Sequence, residues 1–263
     1  MKLATWNVNS LRVRLPQLLE WLGRQRPDVV CLQETKLADA DFPAEAILAA
    51  GYHAVFSGQK TYNGVAILGK HPPGQVASAI PGFPDPQKRV LAATVDGVRV
   101  ICIYAPNGES VGSEKYRYKL EWLAALEKWL GQGLAQHPRL ALLGDYNIAP
   151  EERDVYDPEL WQGRILFSPP ERAAFRQLLK LGLADSFRLF DQPQGSFTWW
   201  DYRMNAFRRN MGLRIDHILL SAELAGGCAS CLIHKDMRGL ERPSDHAPLV
   251  AEVEIETGSP PQG

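Results

Sequence analysis

The 263-residue sequence has few cysteines, no excess of either charge and no long apolar run. Its four cysteines, Cys31, Cys102, Cys228 and Cys231, are too few and too scattered for the disulfide framework of a small secreted protein. No apolar segment approaches the roughly 20 residues that a membrane-spanning helix needs. The opening residues MKLATWNVNS lack the apolar core of a signal peptide. These absences favour a cytoplasmic enzyme or binding domain.

The chain also lacks a Ser/Gly/Pro-rich linker, a block of like charges and a repeat of fixed period. With 45% hydrophobic and 22% charged residues and a formal net charge of −1, its composition is that of an ordinary globular protein. A chain of this length buries a large core without a disulfide or metal staple. We therefore expect one domain over residues 1–257, followed by a flexible tail at 258–263.

Strand and helix patterns alternate at the start of the chain. Residues 2–8 and 27–34 predict buried strands, and the leucine spacing in 15–25 predicts a helix between them, which is typical of a βαβ unit. The middle of the chain differs, because β-type runs follow one another there with no room for long helices. These runs are 52–57, 63–68, 90–95 and 98–104, with the hairpin signal Asp96-Gly97 between the last two.

The second half of the chain predicts two more helices and a return to strands. Residues 113–134 form the longest helical pattern, with an apolar stripe made of Tyr116, Leu120, Leu123, Leu126, Leu130 and Leu134. A second helix is predicted over 170–183. Buried or β-type runs lie at 139–147, breaking at Gly144, and at 195–200, 214–221, 229–235 and 246–256. We therefore predict an α/β fold with mixed sheets inside and helices outside.

Polar side chains recur where these predicted strands begin or end. They are Asn7, Asn9, Glu34, Tyr104, Asp145, Asn147, Asp216, Asp245 and His246. If the strands share an orientation, these groups converge on one rim of the sheets. Carboxylates and amides are hard oxygen donors that suit Mg²⁺ or Mn²⁺ and a phosphate ester, and they do not suit Zn²⁺ or a thiol nucleophile.

Each of these residues, taken alone, also fits a purely structural role. Asn9 could cap the next helix, and Glu34 could be a surface carboxylate at a strand end. Asp145 and Asp245 could serve in turns, and His246 could be a hydrogen-bonded structural histidine. Their joint recurrence at five or six strand ends is what favours a functional site.

Seven short blocks then become specific by their wording and order. They are TWNVNSLR, CLQETK, IYAPNG, GDYNIAP, SFTWWDY, LRIDHIL and PSDHAP. Together they resemble the signature blocks of the exonuclease III family of AP endonucleases, in the endonuclease/exonuclease/phosphatase superfamily with the DNase I-like fold. The resemblance runs from Met1 to about Val253. It implies a four-layered α/β sandwich, in which two packed mixed β-sheets are flanked by helices.

The resemblance also implies an activity. A family member would be a monomeric DNA-repair nuclease that uses Mg²⁺, with Mn²⁺ as a substitute, to hydrolyse the phosphodiester 5′ to an abasic site in double-stranded DNA. It would also act as a 3′–5′ exonuclease and as a 3′-phosphatase or 3′-phosphodiesterase on blocked 3′ ends. Such a protein would work in a bacterial-type cytoplasm, on the nucleoid.

By the same resemblance, Glu34 is the principal Mg²⁺ ligand, and Asp145 orients or deprotonates the attacking water. His246 donates to a non-bridging phosphate oxygen, and Asp216 orients its ring and favours the protonated form. Tyr104 donates to the phosphate or stabilises the leaving group. The full metal set implied is Asn7, Glu34, Asp145, Asn147, Asp245 and His246. The amides of Asn107 and Asn147 match phosphate-contacting positions, and Asn9 marks an uncertain second metal position, so one ion or two stays open.

The segment 196–214 interleaves aromatic and basic side chains, which suits phosphate contact with stacking. It contains Trp199, Trp200, Tyr202, Arg203, Phe207, Arg208, Arg209 and Arg214. Taken alone, it equally fits core tryptophans and a solvated basic loop. The resemblance favours DNA, with Trp199 and Leu213 lining a pocket for a flipped-out, base-less sugar and Arg203 contacting the substrate.

A second basic group lies in the first 36 residues: Lys2, Arg12, Arg14, Arg24, Arg26 and Lys36. Arg12 and Arg14 are expected in a loop beside the metal site, where they would contact the DNA backbone. Charge polarised in this way predicts DNA binding that weakens as salt rises.

Two other kinds of protein remain open at this stage. One is another phosphoesterase of the superfamily, such as an inositol-phosphate phosphatase, a sphingomyelinase-like phosphodiesterase or a deadenylase, which would share the rim but not the SFTWWDYR and NSLR blocks. The other is a non-catalytic DNA-binding protein on this fold, which would be expected to have lost one of the rim residues. The pair Cys228 and Cys231 has no second pair or fitting histidine, so we expect it to be structural and not a zinc site.

Overall fold

The computed structural model describes residues 1–255. The helices are α1 (Leu11–Gln25), α2 (Ala44–Ala49), α3 (Glu114–Gly133), α4 (Pro158–Trp161), α5 (Pro169–Lys180) and α6 (Ala222–Gly226). The first seven strands are β1 (Lys2–Asn7), β2 (Val29–Gln33), β3 (His53–Ser57), β4 (Val65–Gly69), β5 (Gly74–Ala77), β6 (Val90–Val95) and β7 (Val98–Tyr104). The others are β8 (Leu140–Asp145), β9 (Ala184–Asp185), β10 (Trp199–Trp200), β11 (Gly212–Leu213), β12 (Asp216–Leu220), β13 (Cys228–Ile233) and β14 (Leu249–Val253).

Twelve of these strands form two six-stranded sheets. The first has the order β13-β14-β1-β2-β4-β3, and the second has the order β5-β6-β7-β8-β12-β9. Each sheet is mixed, because β1 pairs in parallel with β2, and β7 pairs in parallel with β8, while the other neighbours are antiparallel. Strands β10 and β11 form a separate two-stranded ribbon beside the sheets.

Successive apolar residues along a strand point to opposite faces of its sheet. One face packs against the other sheet, and the opposite face packs against helices. Along β2, Val29 and Cys31 face the other sheet, whereas Val30 and Leu32 pack under helices α1 and α2. The same alternation in β8 directs Leu143 inward and Leu142 toward α3 and α5. Both faces of these strands are therefore buried, which explains why they read as continuous apolar runs. The result is four layers, helices–sheet–sheet–helices, as the resemblance implied.

Most of the predicted elements are confirmed. Asp96 and Gly97 both have positive φ, at 49° and 78°, and they join β6 to β7 as the hairpin signal predicted. Helix α1 begins at Leu11, four residues before the predicted start, and it contains Pro16. The short helices α2, α4 and α6 and the edge strand β5 were not predicted, because they carry too few residues for a periodic pattern. The predicted tail at 258–263 lies outside the described residues.

The buried stripe of α3 differs from the predicted one in an informative way. Its buried residues are Tyr116, Lys119, Trp122, Leu123, Leu126 and Leu130. Leu120 is only half-buried, and a lysine stands in the stripe in its place. A buried lysine needs partners for its charge, and those partners lie beside the candidate site. No helix within residues 1–255 combines the length and apolar character needed to cross a membrane.

Replacing Leu126 by alanine tests the apolar core between the second sheet and helices α3 and α5. Leu126 is completely buried between α3 and the second sheet, so its truncation leaves a cavity. We expect the free energy of unfolding to fall by about 2–5 kcal/mol in urea titrations. The control Lys128→Ala lies on the exposed face of the same helix and should change it by less than about 0.5 kcal/mol. Equal losses in the two variants would contradict this packing.

Candidate active site

The polar residues at the strand ends meet on one rim because of the strand directions. The parallel pairs β1–β2 and β7–β8 deliver their carboxyl ends there, and Tyr104 lies in register with Asp145. Strand β12 runs the opposite way, so its first residue, Asp216, is also in register with Asp145. The loop before the antiparallel strand β14 supplies His246 at the same edge. The predicted convergence on one rim is confirmed.

A glycine before Asp145 lets the two parallel strands approach closely. Gly144 has a φ of 155°, and a Cβ built on it would lie 1.9 Å from the carbonyl oxygen of Ile103 in β7. Any side chain at this position would therefore push β8 away from β7. The glycine belongs to the strand rather than breaking it, and it fixes where Asp145 emerges.

Glu34, Asp145 and His246 form the centre of the site. Each contributes one potential metal-ligand atom, and these atoms all lie within 4.8 Å of one another. The side-chain amide of Asn7 sits between the two acids, and its Nδ2 donates to Glu34 Oε1 and to Asp145 Oδ2, both at 2.9 Å. Two carboxylates held this close offer hard oxygen atoms to a divalent cation such as Mg²⁺ or Mn²⁺, so the residues present fit such an ion.

The orientation of Asn7 is fixed by its partners. Its Oδ1 accepts the backbone N–H of Asn9 at 3.0 Å, so the nitrogen faces the acids. The resemblance implied that Asn7 is a metal ligand, and in this structure its Oδ1 is engaged by Asn9 while its Nδ2 faces the acids. In the arrangement described, Asn7 aligns the two carboxylates as a donor.

The ring of His246 lies at the rim between the carboxylates of Asp216 and Asp145. Its Nδ1 lies 2.8 Å from Asp216 Oδ2, and its Nε2 lies 3.7 Å from Asp145 Oδ2. Burial alone would lower the pKa of the imidazole, but the negative charges of Asp216 and Asp145 outweigh burial and raise the pKa to about 10. The ring is therefore a cation and a hydrogen-bond donor at neutral pH. Because Nδ1 is engaged by Asp216, Nε2 is the ring nitrogen that faces Asp145.

Two further titratable groups of the site, Asp145 and Tyr104, respond to the same crowding of charges. Burial raises the pKa of Asp145 to about 7, with Asp216 adding to the shift and His246 opposing it. Burial also holds the pKa of Tyr104 well above its ordinary value, and the nearby charges of Glu34 and Asp145 reinforce this. Tyr104 therefore keeps its proton and can donate it. The guanidinium of Arg89 lies 4.7 Å from the centre of the Tyr104 ring and fixes its face.

Asn147 and Asn107 form an amide pair next to Asp145. Asn147 donates its backbone N–H to Asp145 Oδ1 at 2.8 Å, and its Oδ1 accepts from Asn107 Nδ2 at 3.2 Å. Its Nδ2 donates to the carbonyl of Ala105 at 3.0 Å. Asn147 and Glu34 both have a φ of 51°, a left-handed conformation that is uncommon without glycine and is found where function requires it.

Asn9 and Asp245 lie beside the central cluster and are tied to each other. Asn9 Nδ2 donates to Asp245 Oδ1 at 2.9 Å, and Trp199 Nε1 donates to the other oxygen of Asp245 at 3.0 Å. Asn9 Oδ1 accepts from Lys36, whose ammonium also lies 2.9 Å from Glu34 Oε2. Both carboxylate oxygens of Asp245 therefore accept hydrogen bonds. The ammonium of Lys36 lies between Asn9 and Glu34, at the uncertain second metal position.

The two residues predicted to line the sugar pocket are neighbours in the structure, and one of them is buried. Leu213 pairs with Trp199 across the β10–β11 ribbon and has no exposed surface. It packs in an apolar cluster with Leu166 and Phe167, while Trp199 is half-buried. Leu213 thus differs from the expected pocket lining, because neighbouring side chains of the protein already cover it.

The predicted DNA-contacting segment divides into core and surface. Trp200 and Arg214 are completely buried, and Arg214 is paired with Asp154 and Asp185. Of the arginines in this segment, Arg214 is therefore not available to DNA, because its charge is satisfied inside the protein. Arg203 is exposed and pairs with Asp201 at 2.6 Å, which agrees with a solvated basic loop.

The second predicted basic group is not one patch. Arg12 is exposed and Arg14 is half-buried, and both lie in the first turn of α1 rather than in a loop. Arg14 donates to the carbonyl oxygens of Asn9 and Pro243, so it joins the rim. Arg24 lies roughly 15 Å beyond Arg14 along the helix, where it pairs with acids away from the site.

The sequence analysis gave no role in the site to three residues that shape it, Lys36, Lys119 and Arg89. Lys36 could have been found from its place two residues after Glu34 in CLQETK. Lys119 could have been found as a charged residue within the stripe of α3. Arg89 has no signal in the sequence, because its contact with Tyr104 depends on how β6 lies beside β7.

Comparison with known proteins gives the same picture. The model of the endonuclease/exonuclease/phosphatase family matches residues 4–246. Exodeoxyribonuclease III of Haemophilus influenzae is 40% identical over 268 residues, covering 96% of this chain and 99% of the relative. The chain belongs to the exonuclease III / AP endonuclease family of this superfamily. It is therefore a phosphodiester hydrolase and an exonuclease III-like DNA-repair nuclease.

Solved structures of the family are closely similar throughout the chain. The 3′–5′ exonuclease NExo of Neisseria meningitidis is 50% identical with a TM-score of 0.95, covering 97% of this chain and all of that one. NExo from Neisseria has also been solved as a 3′ phosphatase bound to a product DNA hairpin. An AP endonuclease of Archaeoglobus fulgidus is 38% identical with a TM-score of 0.93 over the same share of both chains.

Asp216→Asn tests the charge of His246. Because the pKa of His246 in the folded protein is about 10, above its ordinary 6.5, the stabilisation from its proton is fully present below pH 6.5 and is lost as the pH rises through about 10. Removing the Asp216 charge should lower the His246 pKa toward 6.5. The metal-free variant should therefore lose less unfolding free energy than wild type between pH 6.5 and 10.

NMR titration of the histidine ring in both proteins measures this directly. A wild-type His246 that titrates near pH 6.5 would contradict the arrangement.

Proposed function

We propose that this protein hydrolyses phosphodiesters in double-stranded DNA with Mg²⁺, on the 5′ side of abasic sites and at blocked or recessed 3′ ends. The observation that carries the proposal is the convergence of Glu34, Asp145 and His246, with His246 Nδ1 lying 2.8 Å from Asp216 Oδ2. It places an acid pair for a metal, a base and a cationic donor within one small space. Phosphoryl transfer to water requires those three functions.

The chain's own residues divide the chemistry among them. Glu34 and Asp145 would hold the divalent ion, which when bound neutralises charge on the phosphate and makes water more acidic. Asp145 would also orient the attacking water and accept its proton, because its carboxylate is held in place by Asn7 and by the backbone N–H of Asn147. His246 would donate from Nε2 to a non-bridging oxygen, while its Nδ1 stays bonded to Asp216.

The remaining rim residues fit the substrate side of the reaction. Tyr104 retains its proton and would donate to the phosphate or to the departing 3′-oxygen. Asn107 and Asn147 would contact the phosphate through their amides. Asn7, Asn9 and Asp245 would support the metal side through hydrogen bonds to the acids and to each other.

A DNA substrate fits the exposed chemistry of the rim. Arg12 and Arg203 are exposed cations on segments that border the site. The related NExo has been solved with a product DNA hairpin, which supports the same substrate here over an inositol phosphate or a lipid. The protein would act as a monomer in a bacterial-type cytoplasm, and its similarity to a bacterial exodeoxyribonuclease III supports this setting.

A second candidate is that 3′-end processing predominates over abasic-site cleavage. The burial of Leu213 beneath Leu166 and Phe167 favours it, because a flipped-out sugar would have to displace these side chains. A 3′-phosphate needs less room, since only the terminal group must reach Asp145 and His246. The similarity to the 3′ phosphatase NExo supports this balance.

A side-by-side rate comparison tests both candidates. The substrates are an abasic duplex, a duplex with a recessed 3′-phosphate and an undamaged recessed 3′ end, each with Mg²⁺ and with Mn²⁺. We expect cleavage of all three, and the second candidate adds that the 3′-phosphate is hydrolysed at least tenfold faster than the abasic site is cut. Asp145→Asn should reduce every rate at least a thousandfold and leave DNA binding within a few-fold.

No metal-dependent hydrolysis of any of the three DNA substrates would remove the proposed function. Retained turnover in Asp145→Asn would instead remove only Asp145 from the chemistry. Lys128→Ala, a substitution on the exposed face of α3, serves as the matched control and should leave the rates on the short duplexes unchanged within a few-fold.

A further inference from the structure

The buried lysine of α3 has its charge fully satisfied beneath the amide pair. Lys119 has no exposed surface. Its ammonium donates to the carbonyl oxygen of Asn107 at 3.1 Å, to the carbonyl oxygen of Asn147 at 2.7 Å and to Glu171 Oε1. An ammonium group has three N–H donors, and three acceptors surround this one. No neutral side chain supplies three donors from one atom.

Glu171, in the first turn of α5, is the buried counter-ion and has further partners. Its Oε1 also accepts the backbone N–H of Leu166 at 3.1 Å. Its Oε2 accepts the N–H of Ser168 at 3.1 Å and the Ser168 hydroxyl at 2.6 Å. The carboxylate therefore joins Lys119 to the start of α5 and to the segment that precedes it.

On one side, this ion pair holds the backbone of both amide residues. Asn147 has a left-handed φ of 51°, which asparagine adopts more readily than most other residues. Lys119 binds its carbonyl from one direction, and the buried His217 Nε2 lies 2.8 Å from the carbonyl of the next residue, Ile148. The orientation of the Asn147 side chain toward Asn107 follows from this fixed backbone.

On the other side, the ion pair holds Leu166, which packs in one apolar cluster with Leu213 and is here called the cover of the predicted sugar pocket. Leu166 has a φ of 71°, which is strained for a bulky residue, and it is buried against Leu213. Its N–H is bound by Glu171, and its carbonyl accepts the N–H of Ala149 at 2.8 Å. The strained conformation of the cover thus depends on the same carboxylate that neutralises Lys119.

We propose that Lys119 and Glu171 are positioning residues, which set both the Asn107–Asn147 amide pair and the Leu166 cover over Leu213 from inside the protein. This proposal rests on the proposed function, because it assigns the two amides to the reacting phosphate. Neither side chain reaches the rim surface, so both act through the groups they hold. A displacement of about 1 Å in a group that positions the phosphate can slow catalysis a hundredfold.

The experiment uses the double variant Lys119→Met/Glu171→Gln. It removes both charges together and keeps side-chain volume, so neither partner is left as an unpaired buried charge. On the duplex with a 3′-phosphate we expect kcat to fall about a hundredfold, with KM and Mn²⁺ affinity in titration calorimetry changed less than threefold. On the abasic duplex, relaxation of the cover should make the loss smaller, so the ratio of abasic to 3′-phosphate rates should rise.

Two further variants keep the outcome interpretable. Lys119→Arg keeps the charge and should recover at least tenfold of the lost kcat. Lys115→Met lies on the exposed face of the same helix and should match wild type. A double variant that loses thermal stability but keeps wild-type kcat and rate ratio would overturn the positioning role. An inactive wild-type protein would remove the proposed function, so the two failures are distinguishable.

Discussion

Three carboxylates crowd the rim where the two sheets end, and the rest of the site depends on how their repulsion is balanced. Asp145 and Asp216 are held there by strand register, and Glu34 follows directly after β2, so the three acids stay close together. The balance comes from the protonated ring of His246 and from the amide of Asn7, which donate to these acids. One oxygen of Asp216 is buried without a hydrogen-bond partner. The site therefore favours positive charge strongly, which is the property that a metal-dependent phosphoesterase needs.

A second set of charges lies below the rim and has a different effect. Lys119 with Glu171, and Arg214 with Asp154 and Asp185, are buried ion pairs whose hydrogen bonds end on loop backbone. Buried pairs of this kind contribute little net stability compared with apolar packing. Their consequence is geometric, because they fix loops that would otherwise have several conformations. The strained backbone at Asn147 and Leu166 lies on these loops.

The sequence was sufficient for the layers and for the rim, and the reason is physical. Strands buried on both faces read as apolar runs, and polar residues at their ends stand out against that background. The convergence of Glu34, Asp145 and His246 then followed from shared strand direction. The burial of Leu213 and Arg214 could not be foreseen, because it depends on packing of the 158–167 segment and on acids distant in sequence. The donor role of Asn7 also depends on three-dimensional partners, since an asparagine offers both an oxygen and a nitrogen.

The position of a bound Mn²⁺ ion tests the central claim most directly. Crystals of the wild-type protein soaked with Mn²⁺ would locate the ion by anomalous scattering. We expect an ion bonded to a carboxylate oxygen of Glu34 beside Asp145, with His246 still hydrogen-bonded to Asp216. An ion bonded to the ring of His246, or no ion at this rim, would contradict it.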